Sequence, residues 1–430
     1  CALPIFGMFV AVPLTIRYFL PVYSRLDIDT AYEYLEIRYK DKGLRILGAI
    51  MFIIYQIGRM AIIMYLPSMV LANLTGINVY LLIVAMGVIA IIYSYTGGLK
   101  SVLWTDFIQG CVLIAGIVFS LIFLISTING GFGAIMSELT EGGKFLSSQE
   151  PIFNANIFKT SVFLLIVGGG LNTFSSYISS QDIVQRFTTT TDIKQLKKMT
   201  YGNLVLSLFV ATVFYLIGTA LYVFYNQNPQ LLQTAQQDQI FASYIAFQLP
   251  VGITGIVLAA IYAAAQSTLS TGLNSVATSW TLDIQNFITK DMSMEKQTKV
   301  AQYISLGVGI ASIIMAVILA NGGVNSAYEW FNGFMGLVLG VLAGIFVLGI
   351  FFKKATKAGA YAGFIASAIA VVVCKYGGFD VSIWSYSIIS IGVSVIVGMI
   401  VSLMTQSQLV DKKTLNEATV YYNESEIANS

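Results

Sequence analysis

The sequence has no histidine, and its three cysteines, Cys1, Cys111 and Cys374, show no CxxC spacing. A structural zinc site or a haem therefore lacks its usual ligands. Charge is scarce too: 10 % of the 430 residues are charged, against roughly 25 % in a soluble domain. With 57 % of residues hydrophobic, the composition is that of a polytopic membrane protein. A net charge of +2, spread among loops, offers nucleic acid no footing. No GxxxxGK[ST] motif occurs, so the Gly97-Gly98 and Gly168-Gly169-Gly170 runs are not nucleotide loops. Any work the chain performs must then draw on an ion gradient or on a solute's own gradient. Solenoid-period repeats and soluble insertions of 50 or more residues are also missing. The chain opens at Cys1 inside a hydrophobic run, and its true N-terminus is expected to lie upstream.

What is present is a series of apolar runs. Crossing about 30 Å of hydrocarbon takes about 20 residues. Eleven candidate spans are predicted, at 2–23, 44–72, 78–96, 102–127, 158–178, 203–226, 246–280, 300–320, 328–352, 358–374 and 382–405. The run at 246–280 is too long for one simple span, and Pro250 and Gly252 are expected to divide an entry segment from the helix proper. The loops at 128–157 and 227–242 read as irregular outward caps. Placing the first loop in the cytoplasm puts 18 of the 23 Lys and Arg residues on that side, and only Lys144, Lys159 and Lys375 on the other. The remaining two, Arg17 and Arg59, lie within spans. This bias sets the orientation. Residues 1–405 are read as one integral membrane transport domain, and 406–430 as a cytoplasmic C-terminal tail.

Within the spans, polar residues concentrate in Ala259–Trp280. Gln266, Ser267, Thr268, Ser270, Thr271, Asn274 and Ser275 crowd its middle. Ala264, Ser267 and Thr271 follow at intervals of three and four, on one helical face that Ser270 and Asn274 extend and Thr268 flanks. Two readings fit. Small hydroxylated residues let membrane helices pack closely, or the oxygens form a site for a hard cation such as sodium. Asp106, one to two turns inside its helix, is either an interfacial carboxylate in water or the anion of that cation site. Arg59, near the middle of its span, either pairs with Asp106 or offers its forked donors to a substrate carboxylate, with Gly58 keeping the approach open. Phe174, Tyr177, Trp330 and Phe331 either stack on a substrate or, as most membrane-helix aromatics do, pack in the core or interface belt. A channel would need rings of pore-lining residues or a filter, and a membrane enzyme a nucleophile, base or metal cluster; the spans show neither.

Several segments occur together in one order: Ala31-Tyr32-Glu33-Tyr34-Leu35-Glu36 with Arg38-Tyr39, Gly97-Gly98-Leu99-Lys100, Trp104-Thr105-Asp106-Phe107-Ile108-Gln109, Ser180-Gln181-Asp182-Ile183-Val184-Gln185-Arg186-Phe187, and Ala263-Ala264-Ala265-Gln266-Ser267-Thr268. This set resembles the sodium:solute symporter family. The resemblance implies an all-α, leucine-transporter-like bundle of two inverted repeats, working by alternating access with sodium as the co-transported ion. It implies a main sodium site at Ala264 (through its carbonyl), Ser267 and Thr268, and a further cation site at Ser270, Thr271 and Asp106. The family's unwound first helix should precede Cys1. The Gly58-Arg59 pair followed by Met60-Ala61-Ile62-Ile63 is similar to bacterial sialic acid carriers, where the arginine faces the substrate's acidic end. Ile5 and Gly169 stand where those carriers tend to show Gln and Phe. The implied role is import of sialic acid or a related carboxylated sugar across the cell membrane; another organic anion or a neutral sugar remains open.

Overall fold

A computed structural model of the chain describes residues 3–142, 151–187, 192–232, 239–289, 292–322, 326–408 and 410–422, the side chains of 95–103, 105 and 408 apart. Cys1, Lys144, Lys290, the side chain of Lys100 and the tail beyond Tyr422 lie outside this set. The described residues are helices, turns and loops, without strands.

The spans are α1 (Leu3–Leu26), α3 (Lys42–Thr75), the two arms of α4 (Val79–Thr127), α6 (Val162–Ser179), α8 (Ile193–Gln227), α10 (Val251–Ile288), α11 (Met294–Asn321), α12 (Ala327–Phe351), α13 (Lys357–Tyr376) and α14 (Ile383–Met404). Between them lie the shorter α2 (Ala31–Tyr39), α5 (Gly131–Thr140), α7 (Gln181–Phe187) and α9 (Ile240–Phe247), and α15 (Lys412–Glu417) follows. Among the described residues ten helices are long and apolar enough to cross a membrane, and Val79–Ser94 is a shorter apolar one. Ten of the eleven expected spans coincide with these long helices, and the one at 78–96 with the shorter Val79–Ser94.

Although α4 is helical over its whole length, it cannot be straight. Residues 86 and 106 would stand about 30 Å apart on a straight helix. Yet the carbonyl of Met86 accepts from Gln266, and the carboxylate of Asp106 accepts from Ser267, the next residue of α10. The chain doubles back between these points, which produces the two spans read at 78–96 and 102–127.

The described parts of the loops at 128–157 and 227–242 hold short helices in place of irregular caps. Residues 128–157 hold α5, entered through Gly130 and Gly131 at φ +88° and +54°, a left-handed turn suited to glycine. Ile135 drives its formation by packing into a cluster with Ile128, Val213 and Ile217. Likewise 227–242 runs into α9, and Pro250 sits at the N-cap of α10 as anticipated.

Small residues bring the central helices together. A methyl group on Gly336, Gly340 or Gly344 of α12 would run into Tyr386, Ser390 or Ser394 of α14. Their four-residue spacing forms one smooth stripe. The Gly168-Gly169-Gly170 run serves the same purpose: it meets the Trp384 carbonyl, Pro4 and Gly7, leaving no room for side chains.

The short α2 is the hub of one end. Thr30 caps it by accepting from the amide of Glu33. The fully buried Arg38 donates to the carbonyls of Gly349 (2.7 Å), Phe352 (2.9 Å), Lys353 and Ala355 (both 3.3 Å), closing the C-terminus of α12. Tyr32 donates to the Ser179 carbonyl and Tyr34 to that of Ala418. The tail docks here: Arg25 donates to the Glu417 carbonyl at 2.9 Å and lies over the Tyr422 ring, while Tyr421 donates to the Phe351 carbonyl.

Candidate functional site

The inner arm of α4 brings Asp106 against the polar face of α10. Its Oδ1 accepts from the Ser267 hydroxyl at 2.5 Å, and its Oδ2 from the Thr271 hydroxyl at 3.1 Å. Ser267 and Thr271 are one turn apart, so a single carboxylate spans both. The other expected oxygens stay within α10. Thr268 donates to the Ala264 carbonyl at 3.0 Å, and the buried Ser270 donates to the Ser267 carbonyl at 3.0 Å. The donor set is one carboxylate, hydroxyls and a helix carbonyl, all oxygen. It matches a hard cation of low charge. Among the described residues no group of three or more His, Cys, Asp or Glu could hold a metal ion.

Arg59 does not pair with Asp106. Its guanidinium pairs with Asp182 of α7, whose other oxygen accepts from Ser180. Asp106 instead has Arg186 of α7 beside it, with Nη2 3.6 Å from Oδ2. Two ion pairs thus replace the single one proposed from sequence. Burial raises the Asp182 pKa, but Arg59 and the Ser180 hydroxyl lower it further, leaving it below the ordinary carboxylate value. The four-residue interval between Asp182 and Arg186 is the signal that could have revealed the arrangement, since it puts both charges on one face of α7. Gly58 does not clear an approach to the guanidinium: it makes room for the Phe334 ring of α12.

One turn before Arg59 on α3, Tyr55 meets aromatic and thioether groups of α12. Tyr55 lies 6.2 Å from Phe331 between ring centroids, and both Tyr55 and Ser176 approach the Met335 sulfur. Gln56, fully buried one turn before Arg59, was missed from sequence; neither atom of its amide has a partner among the described residues. The other aromatics pack as expected. Phe174 meets Phe19 edge-on at 5.3 Å, Trp330 stacks on Phe334 at 5.1 Å, and the Tyr177 hydroxyl accepts from Asn203.

With this geometry in place, comparison with known proteins decides the class. The model of the sodium:solute symporter family matches residues 2–367. The chain belongs to that family. Among its members, a sodium/sialic acid symporter of Proteus mirabilis (strain HI4320) is 35 % identical over 401 residues, covering 92 % of this chain and 80 % of the relative. A sodium/sialic acid symporter of Aliivibrio fischeri (strain ATCC 700601 / ES114) is 31 % identical over 407 residues, covering 94 % and 80 %. The solved structure of a Na+-coupled sialic acid symporter, substrate-bound and outward-open, superposes with a TM-score of 0.85 at 34 % identity, covering 94 % of this chain and 83 % of that one. The fold is therefore the all-helical, leucine-transporter-like bundle of the family, and the chain is a multi-pass membrane protein of a sodium-coupled class.

Proposed function

We propose that this chain is a sodium-coupled secondary active symporter that imports sialic acid, or a closely related carboxylated sugar, by alternating access across the cell membrane. The observation that carries the reading is the oxygen cluster of Asp106, Ser267 and Thr271, built by two helices around a carboxylate inside the membrane. An acid there is costly unless it meets a cation. Ser267 and Thr271 can rotate their hydroxyls to turn lone pairs toward sodium, with Ser270 behind them. Ala264, through its carbonyl, and Thr268 contribute to the main sodium site together with Ser267. Arg59 supplies the charge for the substrate's acidic end, and a guanidinium fork matches a carboxylate in both shape and sign. The relatives named above, which carry sialic acid, support the choice of substrate. The Lys and Arg bias supports a cytoplasmic C-terminal tail.

The test is uptake of N-acetylneuraminate into proteoliposomes holding the full-length carrier, with and without an inward sodium gradient. Accumulation that requires the gradient, and that acidic but not neutral sugars inhibit, is the expected result. Uptake indifferent to sodium would remove the coupling. Equal inhibition by neutral sugars would remove the acidic substrate.

A further inference from the structure

The two charges assigned to ligands, Arg59 and Asp106, are each held by the opposite charge from the same short helix, α7. Asp182 brings a carboxylate to the guanidinium, the group a substrate acid would bring. Arg186, four residues on, brings a cation to the carboxylate that sodium would meet. We propose that Asp182 is a positioning residue that competes with the substrate's carboxylate for Arg59, and Arg186 one that competes with the cation for Asp106, so that α7 couples the two sites. This inference rests on the reading of Arg59 and Asp106 given above.

The physical case begins with desolvation. Arg59 sits mid-span, where an unpaired guanidinium is expensive, and Asp182 neutralises it. Asp182 is itself 6 % exposed, so it too depends on the pair. A substrate carboxylate arriving at Arg59 would put two anions on one cation, which favours departure of Asp182. Sodium arriving at Asp106 would put two cations on one anion, which favours departure of Arg186. Arg186 is 54 % exposed and leaves toward water readily; Asp182 is the costly partner to strand.

Asp182 and Arg186 lie one turn apart on one helix, so their movements are linked. Either ligand alone releases one anchor while the other still holds α7, and both together release it. Each ligand therefore lowers the cost of binding the other, a reciprocal coupling between sites. The start of α7 has a firm pivot: the Gln181 side chain accepts from the amide of Ala31 at 2.8 Å and donates to the carbonyl of Asp29 at 3.2 Å. The neighbouring Thr30 hydroxyl donates to Asp283 of α10 at 2.5 Å, so the pivot is tied to the helix that carries the cation oxygens.

The experiment measures N-acetylneuraminate binding to the purified full-length carrier at zero and saturating sodium, for the wild type, Asp182→Asn, Asp182→Glu, Arg186→Gln and Arg59→Gln. In Asp182→Asn the sodium-free affinity for substrate should rise tenfold or more, and the gain in affinity on adding sodium should shrink by the same factor. Asp182→Glu should restore the wild-type pattern. Arg186→Gln should lower the sodium concentration for half-saturation several-fold and, with that anchor of α7 gone, raise sodium-free substrate affinity as sodium does in the wild type. An Asp182→Asn carrier that binds substrate with unchanged sodium dependence, while Arg59→Gln abolishes binding, would overturn the inference and leave the proposed function standing. Undiminished binding by Arg59→Gln would overturn both. If Asp182→Asn does not fold, the Arg186→Gln sodium titration decides, and an unchanged half-saturation rejects the coupling.

Discussion

The hydroxyl of Ser267 donates to the carboxylate of Asp106 across 2.5 Å, tying the middle of α10 to the inner arm of α4. The two residues are 161 positions apart in sequence. A hydrogen bond to a charged acceptor contributes about 1.5–3 kcal/mol. Ser267→Ala should therefore raise the sodium concentration for half-maximal uptake by about tenfold or more. Thr268→Ala should act in the same direction, and in both variants the loss of sodium activation should exceed the loss of thermal stability, which in Ser267→Ala includes the bond to Asp106. If sodium activation is unaltered in both variants, α10 is not the ion site.

Arg59→Ala should raise the apparent KM for a carboxylated sugar by an order of magnitude or more, the loss of one charge-assisted contact at about 1.5–3 kcal/mol. A substrate analogue reduced to the neutral alcohol should be handled alike by both forms. Parallel KM measurements for the acid and the alcohol check this. Equal changes for the two would assign Arg59 to folding through Asp182.

Arg38 is fully buried and reaches four backbone carbonyls at the end of α12. Arg38→Met keeps the aliphatic stem and strands those acceptors. The expected result is a loss of at least about 3 kcal/mol, since an unsatisfied buried group costs roughly 1–3 kcal/mol. Carrier that still folds should show a clearly lower melting temperature with an unchanged substrate KM. A melting temperature equal to wild type would mean that the carbonyls find other partners.

Gly340 faces Ser390 with no space for a side chain. Gly340→Val should force α12 and α14 apart, and overpacking of this kind costs about 1–3 kcal/mol. Gly392→Ala, at a position with nothing within 4 Å, is the matched control and should be nearly neutral. Thermal unfolding of the two variants side by side checks the contrast.

Asp411 caps α15, accepting from the amide of Thr414 at 3.0 Å, and that bond holds its carboxyl below the usual pKa. With the folded value depressed, the stabilisation is complete above the unfolded value of about 3.9 and fades as pH falls through the folded one. A spin label at Lys413 should therefore gain mobility below about pH 4. In Asp411→Ala the label should be mobile at every pH; a wild-type label indifferent to acid would remove the cap from the tail's stability.

Much of this protein could be read locally. Spans depend on the length and apolarity of contiguous runs, so ten of the eleven read from sequence match helices long enough to cross a membrane among the described residues, and the shared face of Ala264, Ser267 and Thr271 was legible too. Those are helical-period properties, carried by residues within a few turns of each other. Partner choice is different. Arg59 could satisfy its charge with any acid within reach, and only the placement of α7 beside α3 and α4 selects Asp182 for Arg59 and Arg186 for Asp106. The helix at Gly131–Thr140 depends on Ile135 finding Val213 and Ile217 on α8, a contact no local window contains. Gly58 was legible as a small residue, but the ring it accommodates, Phe334, lies on another helix. The sequence determined which segments cross the membrane and which residues carry oxygen or charge. The tertiary structure decided which of them meet, because charge pairing and packing are settled by distance in space.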